Sequence, residues 1–102
     1  MKFHVYIIRG IDNYFYCGLT GKLEQRMQQH NSKKNKSTKR HTPLTLMFLY
    51  ETDSRTKARF VEKMIKAQGV QRWYYKQHFT YQLYRSNELI EQYYHTVQMQ
   101  GR

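Results

Sequence analysis

Two short apolar runs open the chain on either side of a polar segment. Residues 3–8 and 14–19 are rich in aromatic and β-branched side chains, which are typical of strands. The Gly-Ile-Asp-Asn segment between them, residues 10–13, has the composition of a tight turn. The pattern therefore predicts an antiparallel hairpin.

Each predicted strand carries a tyrosine near its middle. Alternate side chains of a strand share a face, so Tyr6 lies on the same side as Ile8, and Tyr16 on the same side as Gly18. The ordinary explanation of a strand tyrosine is amphipathic packing, with a half-buried ring and the hydroxyl at a wet rim. The alternative is that the two phenols face one site.

A helix, a basic loop and a third strand are predicted next. Thr20 is a suitable N-cap for a helix over residues 21–31, whose apolar positions fall at helical spacing. Residues 31–43 are polar and aperiodic, which predicts a loop. Residues 44–50 are apolar almost throughout, which predicts a strand in a central or well-covered position.

The second half of the chain predicts helices. Asp53 or Ser54 caps a helix that runs to the residue before Gly69, which has the residue type preferred just after a helix. Shorter helical patterns follow over residues 71–79 and 87–98. We expect no repeat and no further domain.

Together these elements predict a small α/β (α+β) fold, a three-stranded, mainly antiparallel sheet flanked by helices. The length of 102 residues is that of one domain. Residues 1–77 hold the predicted strands and their covering helices. Residues 78–102 are expected to form a helical extension that packs on the same domain, and a dimer contact is the alternative use of its apolar positions.

Composition adds a partner class. The 18 lysines and arginines exceed the 7 acids to give a formal net charge of +11. This excess favours a polyanionic partner, above all nucleic acid, because phosphate neutralisation supplies affinity without base reading. The single cysteine, Cys17, allows no internal disulfide and disfavours a cysteine-based zinc site. No apolar run is long enough to cross a bilayer, so a soluble, cytoplasmic protein with no membrane partner is expected.

Five scattered polar residues supply the groups that phosphodiester hydrolysis needs. That reaction takes a nucleophilic water, a proton acceptor, a cation to offset charge at phosphorus and usually a metal ion. The residues are Tyr6, Tyr16, Arg26, His30 and Glu62. Each has an ordinary explanation as well. Arg26 and His30 lie four apart on what reads as a solvated helix face, and Glu62 is placed to pair with Lys66.

The order of these residues resembles that of the GIY-YIG nuclease family, over about residues 3–77. The family's first motif corresponds to His4-Val5-Tyr6 and its second to Tyr16-Cys17-Gly18. Arg26 follows the second tyrosine by ten residues, as the family's arginine does, and His30 lies one turn beyond it. The likeness is to the small stand-alone members, which consist of little besides this domain.

The resemblance implies a metal-dependent endonuclease that hydrolyses phosphodiester bonds in DNA. It makes Tyr6 the general base or the group that positions the water, and Tyr16 its support or a phosphate contact. Arg26 would stabilise the transition-state charge, and His30 would assist proton transfer or hold phosphate. Glu62 corresponds to the family's glutamate, which would bind one Mg²⁺ or Mn²⁺ ion.

Further basic residues are candidates for gripping the nucleic-acid backbone. Most of them lie in the predicted loop, and no acid occurs between Glu24 and Glu51 to cancel their charge. The ordinary explanation is a solvated loop. The predicted backbone-binding residues are Lys33, Lys34, Lys36, Lys39, Arg40 and Lys76.

Two features depart from the family pattern. His4 and Val5 replace the glycine and isoleucine of the first motif, and no asparagine follows Glu62 before Asn87. These departures leave alternatives to the nuclease. One is a catalytically weak nucleic-acid-binding module, and another is a nuclease subunit that requires a partner protein. A homodimer is also left open.

Overall fold

The structure, a computed structural model, describes residues 1–32 and 39–76. Over these residues the chain forms three strands, three helices and one short 3-10 turn. The strands are β1 (Phe3–Arg9), β2 (Phe15–Thr20) and β3 (Thr45–Thr52). The helices are α1 (Leu23–Asn31), α2 (Arg55–Gln68) and α3 (Val70–Lys76), and the 3-10 turn is Lys39–His41. The predicted α+β fold is confirmed.

The sheet has the order β2-β1-β3 and is antiparallel throughout. The central strand is therefore β1, and of the two positions predicted for residues 44–50, central or well-covered, the second is the one found, because β3 forms an edge. Its apolar character has another cause: Phe48 and Tyr50 are fully buried beneath the helices that follow. Apolar runs report burial of side chains, and burial does not require a strand on both sides.

The hairpin register places Tyr6 opposite Gly18 and Ile8 opposite Tyr16. Opposed residues of an antiparallel pair project to the same side of the sheet. Both tyrosines thus lie on one face, as the alternation predicts. The turn between the strands contains Asn13 with φ 62°, a left-handed conformation that asparagine adopts more readily than most residues.

The two helix starts differ in how well the sequence predicts them. Ser54 caps α2 as expected, and its hydroxyl accepts a hydrogen bond from the Lys57 amide at 3.1 Å. The prediction that Thr20 caps a helix from residue 21 is wrong. Thr20 ends β2, its hydroxyl accepts from the Lys22 amide at 3.0 Å, and α1 begins two residues later than predicted, at Leu23.

The helices cover the sheet on both faces. On one face, α2 and α3 pack on the side chains of Val5, Ile7 and Phe48, through Val61 and Trp73 among others. On the other face, Tyr6, Ile8 and Leu44 are buried with apolar residues of α1 packed against them. The two faces of β1 therefore serve two separate clusters.

Several predictions fall outside the described residues. They are the helix over residues 87–98, the last part of the short helix that carries Trp73, and the packing of residues 78–102 on the domain. These stay predictions. Among the described helices, none has the length and apolar character needed to span a membrane.

Candidate active site

The site begins with the close approach of Tyr6 to the backbone of β2. A Cβ atom at position 18 would collide with the Tyr6 hydroxyl and ring. Gly18 faces Tyr6 across the ladder, so the missing side chain is what gives the phenol its space. The tyrosine of the first motif and the glycine of the second are thus two halves of one packing arrangement.

Helix α1 supplies the partner of this phenol. The Tyr6 hydroxyl lies 3.0 Å from His30 Nε2, and both residues are fully buried. The ring of Tyr16 completes the group, with centroids 6.4 Å from Tyr6 and 5.4 Å from His30. The ordinary explanation of a solvated helix face does not hold for His30, because this position of α1 turns towards the sheet.

Burial governs the protonation of both members of this pair. Loss of solvent raises the pKa of Tyr6 to about 12, with a further contribution from Tyr16, and the nearby Arg26 guanidinium opposes the rise. Burial also lowers the pKa of His30, and Arg26 adds to that effect. At neutral pH the phenol is therefore protonated and the imidazole neutral. The His30 tautomer sets the direction of their hydrogen bond: the phenol donates to Nε2 when the imidazole proton is on Nδ1 and accepts from it when the proton is on Nε2.

A cleft of about 690 Å³ brings Arg26 and Glu62 to one place. Arg26 reaches it from α1 and Glu62 from α2, although the two helices lie on opposite faces of the sheet. The cleft lies beside β2, an edge strand, and Leu19 and Thr20 of that strand line it. Because no described strand lies on the outer side of β2, side chains from both covering helices can approach one another there.

The glutamate has a partner within its own helix. Lys66 Nζ lies 3.0 Å from a Glu62 carboxylate oxygen, the i, i+4 pair that the sequence predicts. The Glu62 side chain is 17% exposed, so the carboxylate is shielded but accessible. Burial acts to lower the pKa of Lys66, but the hydrogen bond to Glu62 and the charge of that carboxylate outweigh it, and the pKa is raised. The carboxylate is thus charge-balanced before any other cation is considered.

Only limited metal ligation is offered by the residues around Glu62. No group of three or more histidine, cysteine, aspartate or glutamate side chains is placed to hold a metal ion within the described residues. A single carboxylate nonetheless fits Mg²⁺, which retains several of its own waters and is often held by one or two carboxylates together with substrate phosphates. Glu62 fits that role and could not by itself form a closed structural site.

The predicted backbone-binding residues fall into two groups. Arg40 and Lys76 are exposed, at the 3-10 turn and at the end of α3. The side chains of Lys33, Lys34, Lys36 and Lys39 lie outside the described part of the chain, and their binding role stays a prediction.

Sequence reasoning missed further basic and polar residues of the cleft. Arg55 and Arg59 of α2 line it opposite Lys22 and Gln25. The signal for the two arginines was present, because they stand four apart, one and two turns before Glu62. They were not singled out because a basic helix face usually reads as solvated.

Comparison with known proteins identifies the family of the chain. A family model described as the GIY-YIG catalytic domain matches residues 2–82. The chain belongs to the GIY-YIG family, whose members are in general endonucleases.

Its relatives are UPF0213 proteins, small single-domain members of that family. The chain is 34% identical to a UPF0213 protein of Limosilactobacillus reuteri, over 66% of this chain and 73% of that protein. It is 40% identical to one from Vibrio parahaemolyticus, over 61% of this chain and 59% of that protein. The solution NMR structure of a UPF0213 protein from Bacillus halodurans is similar with a TM-score of 0.52 and 25% identity, covering 78% of this chain and 86% of that one.

Proposed function

We propose that the protein is a metal-dependent endonuclease that hydrolyses phosphodiester bonds in DNA. The observation that carries this proposal is the position of Arg26. Its guanidinium is near enough to influence the pKa of both buried residues, Tyr6 and His30, and Arg26 lines the same cleft as Glu62. One residue therefore connects a proton-accepting pair with a carboxylate, and these are the groups that a hydrolase of this family would need together.

The proton of the attacking water leaves through the Tyr6–His30 pair. As the water oxygen bonds to phosphorus, its proton passes to the Tyr6 oxygen while the Tyr6 proton passes to His30 Nε2. The 3.0 Å hydrogen bond supports this transfer, because it is already within the range for proton exchange. The neutral state of His30 supports it too, since only an unprotonated nitrogen accepts.

Arg26 and Tyr16 then act on the phosphate. A guanidinium binds two phosphate oxygens at once and offsets the negative charge that grows in the transition state. Tyr16 is half-buried, so its phenol is open to a substrate oxygen, whereas Tyr6 is fully buried and a water reaches its oxygen only when side chains of the site move aside. We therefore give the phosphate contact to Tyr16 and the proton transfer to Tyr6.

Glu62 would hold one Mg²⁺ or Mn²⁺ ion. Such an ion polarises the phosphate and stabilises the departing oxygen. Lys66 would have to release the carboxylate, or share it, as the ion binds.

A second candidate function rests on that same ion pair. Lys66 neutralises Glu62 in the structure, and a carboxylate kept by a lysine would leave a protein that binds nucleic acid without cutting it. Retention of salt-dependent binding without cleavage, under every metal condition, would favour this binding module.

The test of the nuclease is a cleavage assay on supercoiled plasmid, a single-stranded oligonucleotide and a branched duplex, with Mg²⁺, with Mn²⁺ and with chelator. We expect cutting that needs metal and is lost in Glu62→Gln, which keeps the shape of the side chain and removes its charge. DNA binding of that variant should be unchanged or tighter, because a negative group has left a phosphate site. Equal cutting by Glu62→Gln would overturn the proposal and indicate a contaminating nuclease.

Single substitutions separate the roles. Arg26→Ala should cost on the order of 2–4 kcal/mol of transition-state stabilisation if the guanidinium acts electrostatically. Tyr6→Phe should lower the maximal rate with little change in DNA affinity, whereas Tyr16→Phe should weaken affinity as well. The reverse pattern for the two tyrosines would exchange their roles.

A further inference from the structure

A row of basic side chains follows one face of α2. Arg55, Arg59 and Lys63 are all exposed and stand at i, i+4 and i+8. At 100° per residue each step of four turns the side chain by only about 40°, so the row stays continuous. At 1.5 Å per residue it spans about 12 Å along the helix axis, on the order of three phosphates at the 3.4 Å rise of one DNA strand.

The charge of this row is not cancelled locally. Glu62 is the single acid of α2, and Lys66 pairs with it. Among the described residues no salt bridge reaches Arg55, Arg59 or Lys63. Three like charges in succession repel one another, which is unfavourable for the helix alone. An anion laid along the row would relieve that repulsion.

The row is continuous with the cleft that holds Glu62. Arg55 and Arg59 line that cleft, and they also line a shallow groove of about 470 Å³ on the outer side of α2. Thr56, Lys63 and the half-buried Phe60 line the rest of the groove. A helix face that is merely solvated would not need to share its arginines with the cleft. The two depressions share their arginines, so a chain leaving the cleft passes directly onto the row.

We infer that the α2 row, defined as Arg55, Arg59 and Lys63, binds the phosphate backbone of the nucleic-acid strand that continues out of the catalytic cleft. The inference rests on the proposed function in that the strand in the cleft is the substrate. The two guanidiniums bind phosphates bidentately and the ammonium binds as a point charge. These residues are different from the backbone-binding residues that the sequence predicts in the segment 33–40.

The experiment measures binding without cleavage. Fluorescence anisotropy follows a labelled DNA oligonucleotide, single-stranded and duplex, across a salt series in the presence of chelator. Arg59→Gln and Lys63→Gln should each reduce the slope of log K against log salt by about 0.7–0.9, and the double variant by about twice that, since each phosphate contact releases its counterions. Arg72→Gln is the matched control, an exposed arginine on α3 outside both depressions, and its slope should equal that of the wild type.

The outcomes separate this inference from the nuclease proposal. If the wild type does not cut DNA and the double variant shows a reduced salt slope of binding, the result supports the row and refutes the nuclease. A wild type that cuts, with an unchanged slope in a folded double variant, overturns the row and leaves the nuclease standing. An equal loss of slope in Arg72→Gln would also overturn the inference, because the binding would then follow net charge alone. Circular dichroism melts establish that each variant is folded.

Discussion

The two faces of the sheet use the same strand for opposite purposes. Towards α2 and α3, β1 presents Val5 and Ile7, which are packed among apolar and aromatic side chains. Towards α1 it presents Tyr6, whose hydroxyl is buried against His30. Alternation along one strand thus feeds a core on one side and a polar pair on the other. The apolar core and the candidate catalytic pair are therefore separated by a single residue step along β1.

The two faces also tolerate change differently. Apolar packing is governed by volume, and conservative swaps cost little when the space stays filled. A buried hydroxyl and imidazole have a stricter requirement, since a displacement of either one breaks the hydrogen bond between them. The α1 face should therefore lose function through changes that the α2 face would absorb.

The largest expected effect comes from opening a cavity on the α2 face. Phe48 is fully buried, with its ring centroid 5.1 Å from that of Trp73. Phe48→Ala should lower the free energy of unfolding by about 3–5 kcal/mol, from lost transfer energy and the cavity left behind. Urea denaturation measures it. Phe60→Ala, at a half-buried ring of α2, is the control and should cost clearly less; an equal loss would contradict the placement of the core.

The next effect comes from adding one carbon on the α1 face. Gly18→Ala places a methyl group against the Tyr6 ring and hydroxyl, and should destabilise the fold by about 1–3 kcal/mol, as overpacking does, while abolishing cleavage. The matched control is Gly21→Ala, whose added carbon would lie 3.8 Å from its nearest neighbours. Similar melting curves and activities for the two alanine variants would refute the close approach.

A smaller effect is expected at the surface ion pair. Lys66 is 50% exposed, so its bond to Glu62 should contribute no more than about 1 kcal/mol to stability. Lys66→Gln should instead change metal dependence, lowering the Mg²⁺ concentration needed for half-maximal cleavage because the carboxylate is released. A metal titration of both proteins measures this. An unaltered midpoint would mean that Lys66 and the ion do not compete.

The finest distinction is the pH dependence of stability. Because the folded-state pKa of His30 lies below its ordinary value of 6.5, the unfolded chain binds more protons as the solution is acidified. Stability should therefore be fully present above pH 6.5 and fall as the pH drops towards the folded pKa. Urea unfolding at several pH values measures the slope. His30→Gln should flatten it in this range, and an identical slope in that variant would place the titration elsewhere.

Much of the local structure was predictable. Ser54 before a helical pattern and Gly69 after it mark α2 correctly, since caps act between residues a few positions apart. The same local signal explains why Thr20 was wrongly predicted to cap α1. Its hydroxyl makes a cap-like bond to Lys22, but β2 extends through Thr20 and delays the helix. The apolar run of β3 predicted a central or a well-covered strand without deciding between them, because burial by helices and burial by strands produce similar apolar runs.

For the candidate site, too, some features follow from the sequence and others only from the tertiary structure. Alternation and helical spacing along the sequence determined the α+β class. The five candidate residues came from their chemistry and from the resemblance to the GIY-YIG family, and the excess of basic residues indicated a polyanionic partner. Only the tertiary structure decided that Tyr6 meets His30 from 24 positions away, that Gly18 makes room for the phenol, and that Arg26 and Glu62 share a cleft from opposite faces. Local signals record energies between near neighbours along the chain. Contacts across the sheet depend on strand order and on how every helix packs, and no short segment encodes these by itself.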